Sequence, residues 1–182
     1  VIFCGLWAHG HDHGYDHAPE ANELQFVANK GQWQANVIYE AGLYGGKIFL
    51  EKNALTYLFY HPEDVQKVHG WTPGKDGAPF IRAHAYRVSF VNGGEQVSLH
   101  ASGTYSHHSN YFIGNDPSKW ATNVPLSRKI DYRDIYPGIG MSLYAGEGDN
   151  LKYDLIVAPG SDPALIKMRY EGADNLFVRN GK

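Results

Sequence analysis

The stretch His84-Ala85-Tyr86-Arg87-Val88-Ser89-Phe90-Val91, followed by Asn92-Gly93-Gly94, decides how the fold is read. Tyr86, Val88 and Phe90 fall on one side of an extended chain and Arg87 and Ser89 on the other, the two-residue period of a half-buried strand. Asn92-Gly93 tolerates positive φ and turns the chain towards Val97 and Leu99. The pattern recurs in both directions. Upstream, Lys47 to Leu50 and Leu55 to Tyr60 flank Glu51-Lys52-Asn53 as the arms of a hairpin, with Leu55, Tyr57 and Phe59 opposite Thr56. Gln32 to Ala41, with Trp33, Val37 and Tyr39, reads as another strand, and Gly42, Gly45 and Gly46 permit a tight reversal after it. Downstream, Val124, Leu126, Arg128, Ile130 and Tyr132 alternate as far as Pro137-Gly138. The runs Ile139, Met141, Leu143, then Leu151, Tyr153, Leu155, Val157, then Ile166, Met168, Tyr170 continue the rhythm. Residues 61–80 hold His61-Pro62, His69-Gly70, Pro73-Gly74, Asp76-Gly77 and Pro79 and read as a long loop with no regular element. About ten short strands at roughly 8- to 12-residue spacing, with no substantial helix, predict an all-β fold, an antiparallel β-sandwich.

Composition agrees. The 182 residues include 21 Gly, 9 Pro and 13 Tyr, with aromatic side chains at 14% and charged ones at 19%. Glycine and proline interrupt helices, while aromatic residues suit pleated sheets. A net charge of −3 lacks the basic footprint of a nucleic-acid binder. The length suits one core with a tail. Residues 1–8, Val-Ile-Phe-Cys-Gly-Leu-Trp-Ala, resemble the end of a secretory signal's apolar region; 9–24 form a His/Asp-rich flexible segment; 25–182 form the β-domain. Export to the cell surface or medium follows as the expectation, with no transmembrane segment in the mature part. Cys4, the one cysteine, then falls in the leader, leaving neither disulfide nor catalytic thiol. Leu176, Phe177 and Val178 read as a strand and Asn180-Gly181 as a hairpin turn, so the domain is expected to continue past Lys182.

The chemistry-bearing residues are few. His9, His11 and His13 project to one side of an extended segment, with His17, Asp12 and Asp16 near, a set suited to Zn, Cu or Ni. Cleavage after Ala8 would expose His9-Gly10-His11, a square-planar donor set for Cu(II) or Ni(II); the alternative is a solvated tail without a selected site. Glu147 and Asp149 lie in an oxygen-rich turn that can hold Ca²⁺ or simply reverse the chain. Asp131 and Asp134 are the other carboxylate pair considered for glycoside hydrolysis, against a plain reading as partners of neighbouring Arg and Lys. His107 and His108 read as solvated loop histidines. Trp71, in the breaker-rich loop, is the aromatic candidate for a glycan or protein partner, whereas Trp33 and Trp120 read as packing residues. Gly-x-Ser-x-Gly, a phosphate-binding Gly-rich loop and His-Glu-x-x-His are all missing from the sequence.

Longer motifs carry a resemblance. They are Phe26-Val27-Ala28-Asn29-Lys30-Gly31-Gln32-Trp33, Gly46-Lys47-Ile48-Phe49-Leu50-Glu51-Lys52-Asn53 and Tyr111-Phe112-Ile113-Gly114-Asn115-Asp116-Pro117-Ser118-Lys119-Trp120. With them go Tyr136-Pro137-Gly138-Ile139, Leu151-Lys152-Tyr153-Asp154, Val157-Ala158-Pro159-Gly160 and Tyr170-Glu171-Gly172-Ala173-Asp174. Together they resemble the N-terminal domain of unknown function of large secreted bacterial proteins. Those proteins carry SBBP (β-propeller-type) repeats, or PKD-like modules with a gliding-motility or type IX secretion C-terminal domain. The resemblance implies an exported β-rich module at the start of a modular protein, and brings no catalytic residues with it. The expected function is a non-catalytic surface module, structural or interacting with other domains of its own protein or with extracellular glycans or proteins. A carbohydrate-binding module is the alternative, and a glycan-acting enzyme the third.

Overall fold

A computed structural model describes residues 23–69, 71 and 80–177. Among these lie ten strands: β1 (Phe26–Ala28), β2 (Tyr39–Leu43), β3 (Gly46–Leu50), β4 (Ala54–Tyr60), β5 (Ala83–Phe90), β6 (Ser98–Tyr111), β7 (Ala121–Tyr136), β8 (Ile139–Ala145), β9 (Leu151–Val157) and β10 (Met168–Glu171). One short helix, α1 (Pro62–His69), lies between β4 and β5. The all-β expectation holds. Every pairing is antiparallel, and the order along the sheet is β10-β5-β4-β3-β2-β1-β7-β8-β9, with β6 also on β7.

The two layers expected of a sandwich are joined into one hydrogen-bonded sheet that curls into a half-barrel. The junction is β7. Ser127 pairs with Phe26 of β1 and Thr104 of β6, whereas Ile130 pairs with Ala101 of β6 and Leu143 of β8. A strand has two ladder edges, so β6 takes one edge of β7 while β1 and β8 share the other. At sixteen residues, β7 extends about 50 Å at the usual rise per residue, enough to belong to both limbs of the fork.

The limbs close over one core. Phe26, Ile48 and Leu50 from the β1–β5 limb meet Ile130, Met141 and Leu143 from the β7–β9 limb, all without solvent exposure. Leu24, just ahead of β1, is buried with them. Two tyrosines link the limbs by hydrogen bonds. The Tyr132 hydroxyl donates to the Glu51 carbonyl at 2.8 Å, and the Tyr136 hydroxyl to the Lys167 carbonyl at 2.7 Å. The Pro137-Gly138 turn forms as read: Gly138 has φ +68°, a left-handed conformation that favours glycine.

Several local readings differ from the structure. Residues 61–80 were expected to hold no regular element, yet Pro62–His69 is helical. Proline suits the first helical position, and Glu63 and Asp64 complement the positive end of the helix dipole. His107 and His108 stand on β6, not in a loop. That strand, SLHASGTYSHHSNY, is largely exposed and polar on both faces, so it shows no alternation; β7 holds it through its ladder. Gln32 to Val37 is a loop organised by Asn29, whose Nδ2 donates to the Gln34 and Val37 carbonyls at 2.9 and 2.8 Å. Leu176 and Phe177 are irregular rather than extended in a ladder, and both are exposed. The apolar stretch Val1 to Ala8 with Cys4, residues 72–79 and Asn180-Gly181 lie outside the described residues.

Candidate functional site

Directly paired residues on antiparallel strands share a face. Tyr57 of β4 is paired with Tyr86 of β5, and Phe59 is two residues along from Tyr57. The three rings are stacked: Tyr57 and Tyr86 have centroids 4.7 Å apart with planes at 11°, and Phe59 lies 6.5 and 6.3 Å from them. Tyr170 of β10 pairs with Val88, two residues from Tyr86, and so stands on the same face. Tyr153 of β9 pairs with the buried Leu143 and faces the core side from the opposite end of the strand order.

β9 and β10 are those two ends, so the group spans the open side of the half-barrel. Tyr57 and Tyr86 pack against the edge of the core, while Tyr153 and Tyr170 are 43% and 38% exposed. Burial raises the Tyr57 phenol well above its ordinary value, and the neighbouring Tyr86, Tyr153 and Tyr170 phenols raise it further. Tyr86 and Tyr170 are also raised, first by burial and then by their phenol neighbours. The Tyr57, Tyr86 and Tyr170 hydroxyls therefore carry their protons at neutral pH and act as both donors and acceptors. Tyr132, Tyr136 and Tyr144 donate to Glu51, Lys167 and Asp154. Those of Tyr57, Tyr86, Tyr153 and Tyr170 have no hydrogen-bond partner among the described residues.

The acidic side chains are placed differently. Glu51 is buried and accepts from both Nη atoms of Arg87, from Asn36 Nδ2 at 2.8 Å and from Thr56 Oγ1 at 3.1 Å. Burial works to raise its pKa, but the hydrogen bonds from Arg87 and Asn36 outweigh it and hold the carboxyl below its ordinary value. Asp64 ties α1 to the start of β5. It accepts from Arg82 Nε at 2.7 Å, Arg82 Nη2 at 3.0 Å and the Arg82 backbone N–H at 3.1 Å, bonds that hold its pKa far below the usual carboxylate range. Asp131 and Asp134 line the same shallow groove of about 470 Å³ on β7 and β8. Asp131 is engaged by Lys129 Nζ at 2.9 Å and by the Ser142 hydroxyl, and Asp134 adopts positive φ, +58°.

A lowered carboxyl pKa stabilises the fold above the unfolded value, and the gain is lost as pH falls through the folded one. The melting temperature is therefore expected to decline on acidification below the ordinary values of 4.5 for Glu and 3.8 for Asp. Asp64→Asn should flatten that decline in melts followed by circular dichroism. An unchanged acid slope in the variant would remove Asp64 from this role.

Glu147 and Asp149 sit in a 3₁₀ turn between β8 and β9 with Gly148 at φ +67°; the Glu147 carbonyl accepts from Asn150 Nδ2 at 3.2 Å, and Glu147 is exposed. Among the described residues no three His, Cys, Asp or Glu side chains gather around a point that could hold a metal ion. His9, His11, His13 and His17 lie outside the described residues. Trp71 lies two residues past the end of α1, half-buried, its backbone N–H donating to the Val68 carbonyl at 3.2 Å. Trp33 packs edge-on against Tyr111 at 5.5 Å, whereas Trp120, expected to pack in the interior, meets the exposed Phe112 edge-on at 5.4 Å and is itself exposed. The tyrosine face is the feature that sequence reasoning missed. Each tyrosine lies on an alternating strand, but Tyr153 comes within electrostatic reach of Tyr57 only because the sheet curls.

A family model for a domain of unknown function, DUF7948, matches residues 26–182. The chain belongs to this family. No curated protein and no solved structure matches it. The DUF7948 domain takes in every strand among the described residues, the tyrosine face and the groove on β7 and β8. Among its described residues, no helix is long and apolar enough to cross a membrane.

Proposed function

We propose that this DUF7948 domain is a non-catalytic interaction module of a larger exported bacterial protein, acting at the cell surface or in the medium. The observation that carries the interaction role is the tyrosine face, where ring surface and hydroxyls without a partner among the described residues stand together at the open side of the sheet. Such a combination of apolar wall and oriented polar groups is what a binding site supplies. The acids favour binding over catalysis: Glu51, Asp64 and Asp131 are each held by a neighbouring cation. Export, and membership of proteins with SBBP repeats or gliding-motility and type IX secretion modules, draw support from the apolar Val1 to Ala8 stretch and the ordered motifs.

The test presents the purified chain with neutral polysaccharides, with extended peptides of alternating apolar residues, and with chromogenic glycosides. Saturable binding to one polymer class without product release is the expected result. Release of sugar or chromophore would overturn the non-catalytic reading, and binding by neither class would overturn the interaction role.

A further inference from the structure

The geometry points to an uncharged glycan chain as the ligand of the face formed by Tyr57, Phe59, Tyr86, Tyr153 and Tyr170, an inference that rests on the interaction reading above. Three properties of the face select this chemistry. First, the rings come from β4, β5, β9 and β10, and the last two are the ends of the strand order, so the face draws on both edges of the curled sheet. Second, the apolar C–H face of a pyranose packs on an aromatic ring, and its rim of hydroxyls needs partners that both donate and accept. Phenol hydroxyls meet both needs, and here those of four tyrosines have no partner within the described residues. Third, the positions of β4, β5, β9 and β10 that share this face carry no Asp, Glu, Lys or Arg; His84, paired with Phe59, is the one titratable side chain among them besides the tyrosines. At these described positions a polyanion would find no lysine or arginine to offset its desolvation, and a cationic segment no carboxylate. A neutral, hydroxyl-rich chain incurs neither penalty.

Affinity electrophoresis and calorimetry of the full chain with xylan, mixed-linkage β-glucan, galactomannan and dextran test this, with heparin and extended peptides as the contrasting probes. At least one neutral polysaccharide is expected to bind, and to bind equally well in about 0.5 M salt, where exposed charge attraction is screened. Tyr153→Ala and Tyr170→Ala, at partly exposed positions, should each weaken binding by about tenfold, the loss of one stacked ring. Tyr57→Phe keeps its ring and should weaken binding about three- to tenfold through the missing hydroxyl. Unchanged melting temperatures in these variants separate lost contact from lost fold. The inference is overturned if a neutral polysaccharide binds equally well to both alanine variants, or if heparin binds instead and salt abolishes it. Binding of peptides alone would overturn the ligand class and leave the interaction role standing; binding of neither would overturn both.

Discussion

Tyr132→Ala is expected to lower the unfolding free energy by about 3–5 kcal/mol, the cost of emptying a large aromatic site in a closed core. The ring is 2% exposed and stands edge-on to Phe90, with centroids 5.9 Å apart. Its hydroxyl reaches the Glu51 carbonyl, so one side chain supplies both a packing and a polar link between the limbs. Tyr132→Phe retains the ring and removes only the hydroxyl. It should cost about 1–2 kcal/mol, because the Glu51 carbonyl then loses a buried donor. Urea unfolding of the three proteins checks the order wild type, Phe, Ala. Equal losses in Phe and Ala would mean that the hydrogen bond, not the ring, joins the limbs. A small loss in Ala would place the main contact elsewhere. Against a total stability of roughly 5–15 kcal/mol, the alanine variant should be mostly unfolded well below the melting temperature of the parent.

The second large effect is at the Glu51–Arg87 pair. Removing Arg87 leaves a buried carboxylate with only Asn36 and Thr56 as side-chain donors. A fully buried pair broken on one side costs about 3–5 kcal/mol. The Arg87 side chain is 39% exposed, so water moderates the loss, and Arg87→Ala is expected to cost about 2–3 kcal/mol. Replacing both residues, Arg87→Leu with Glu51→Leu, should cost less than Arg87→Ala alone, since no charge is then stranded. Chemical unfolding of the two proteins decides it; a double variant less stable than Arg87→Ala would show that the pair itself, with its Asn36 and Thr56 bonds, outweighs its desolvation. Glu51 also receives the Tyr132 hydroxyl on its carbonyl. Tyr132→Phe and Arg87→Ala therefore act on one residue, and their losses should deviate from additivity by about 0.5 kcal/mol or more.

How much of this was legible depends on the element. The hairpins around Glu51-Lys52-Asn53 and Pro137-Gly138 were readable because each arm alternates and each turn carries residues suited to reversal. The long β6 was not, because neither face of Ser98–Tyr111 is buried enough to impose an apolar period. Helix α1 was hidden by the same prolines and glycines that crowd its neighbourhood, although Pro62 sits where proline begins a helix. At the site, aromatic chemistry was expected of Trp71, in a segment rich in breakers. The tyrosines were read only as strand faces, which they also are.

The amino-acid sequence by itself determined the all-β class, the antiparallel hairpins and the side of each strand on which an aromatic residue falls. Those properties depend on residues two apart or on a single turn. The tertiary structure decided that β7 serves both limbs, that Glu51 meets Tyr132 across 81 positions, and that β9 and β10 end up flanking one tyrosine face. Strand alternation says which face a side chain takes but not which strands become neighbours. That choice is made by long-range burial, as Phe26, Leu50 and Phe90 close over Ile130 and Tyr132 and curl the sheet until its two free edges carry their tyrosines together.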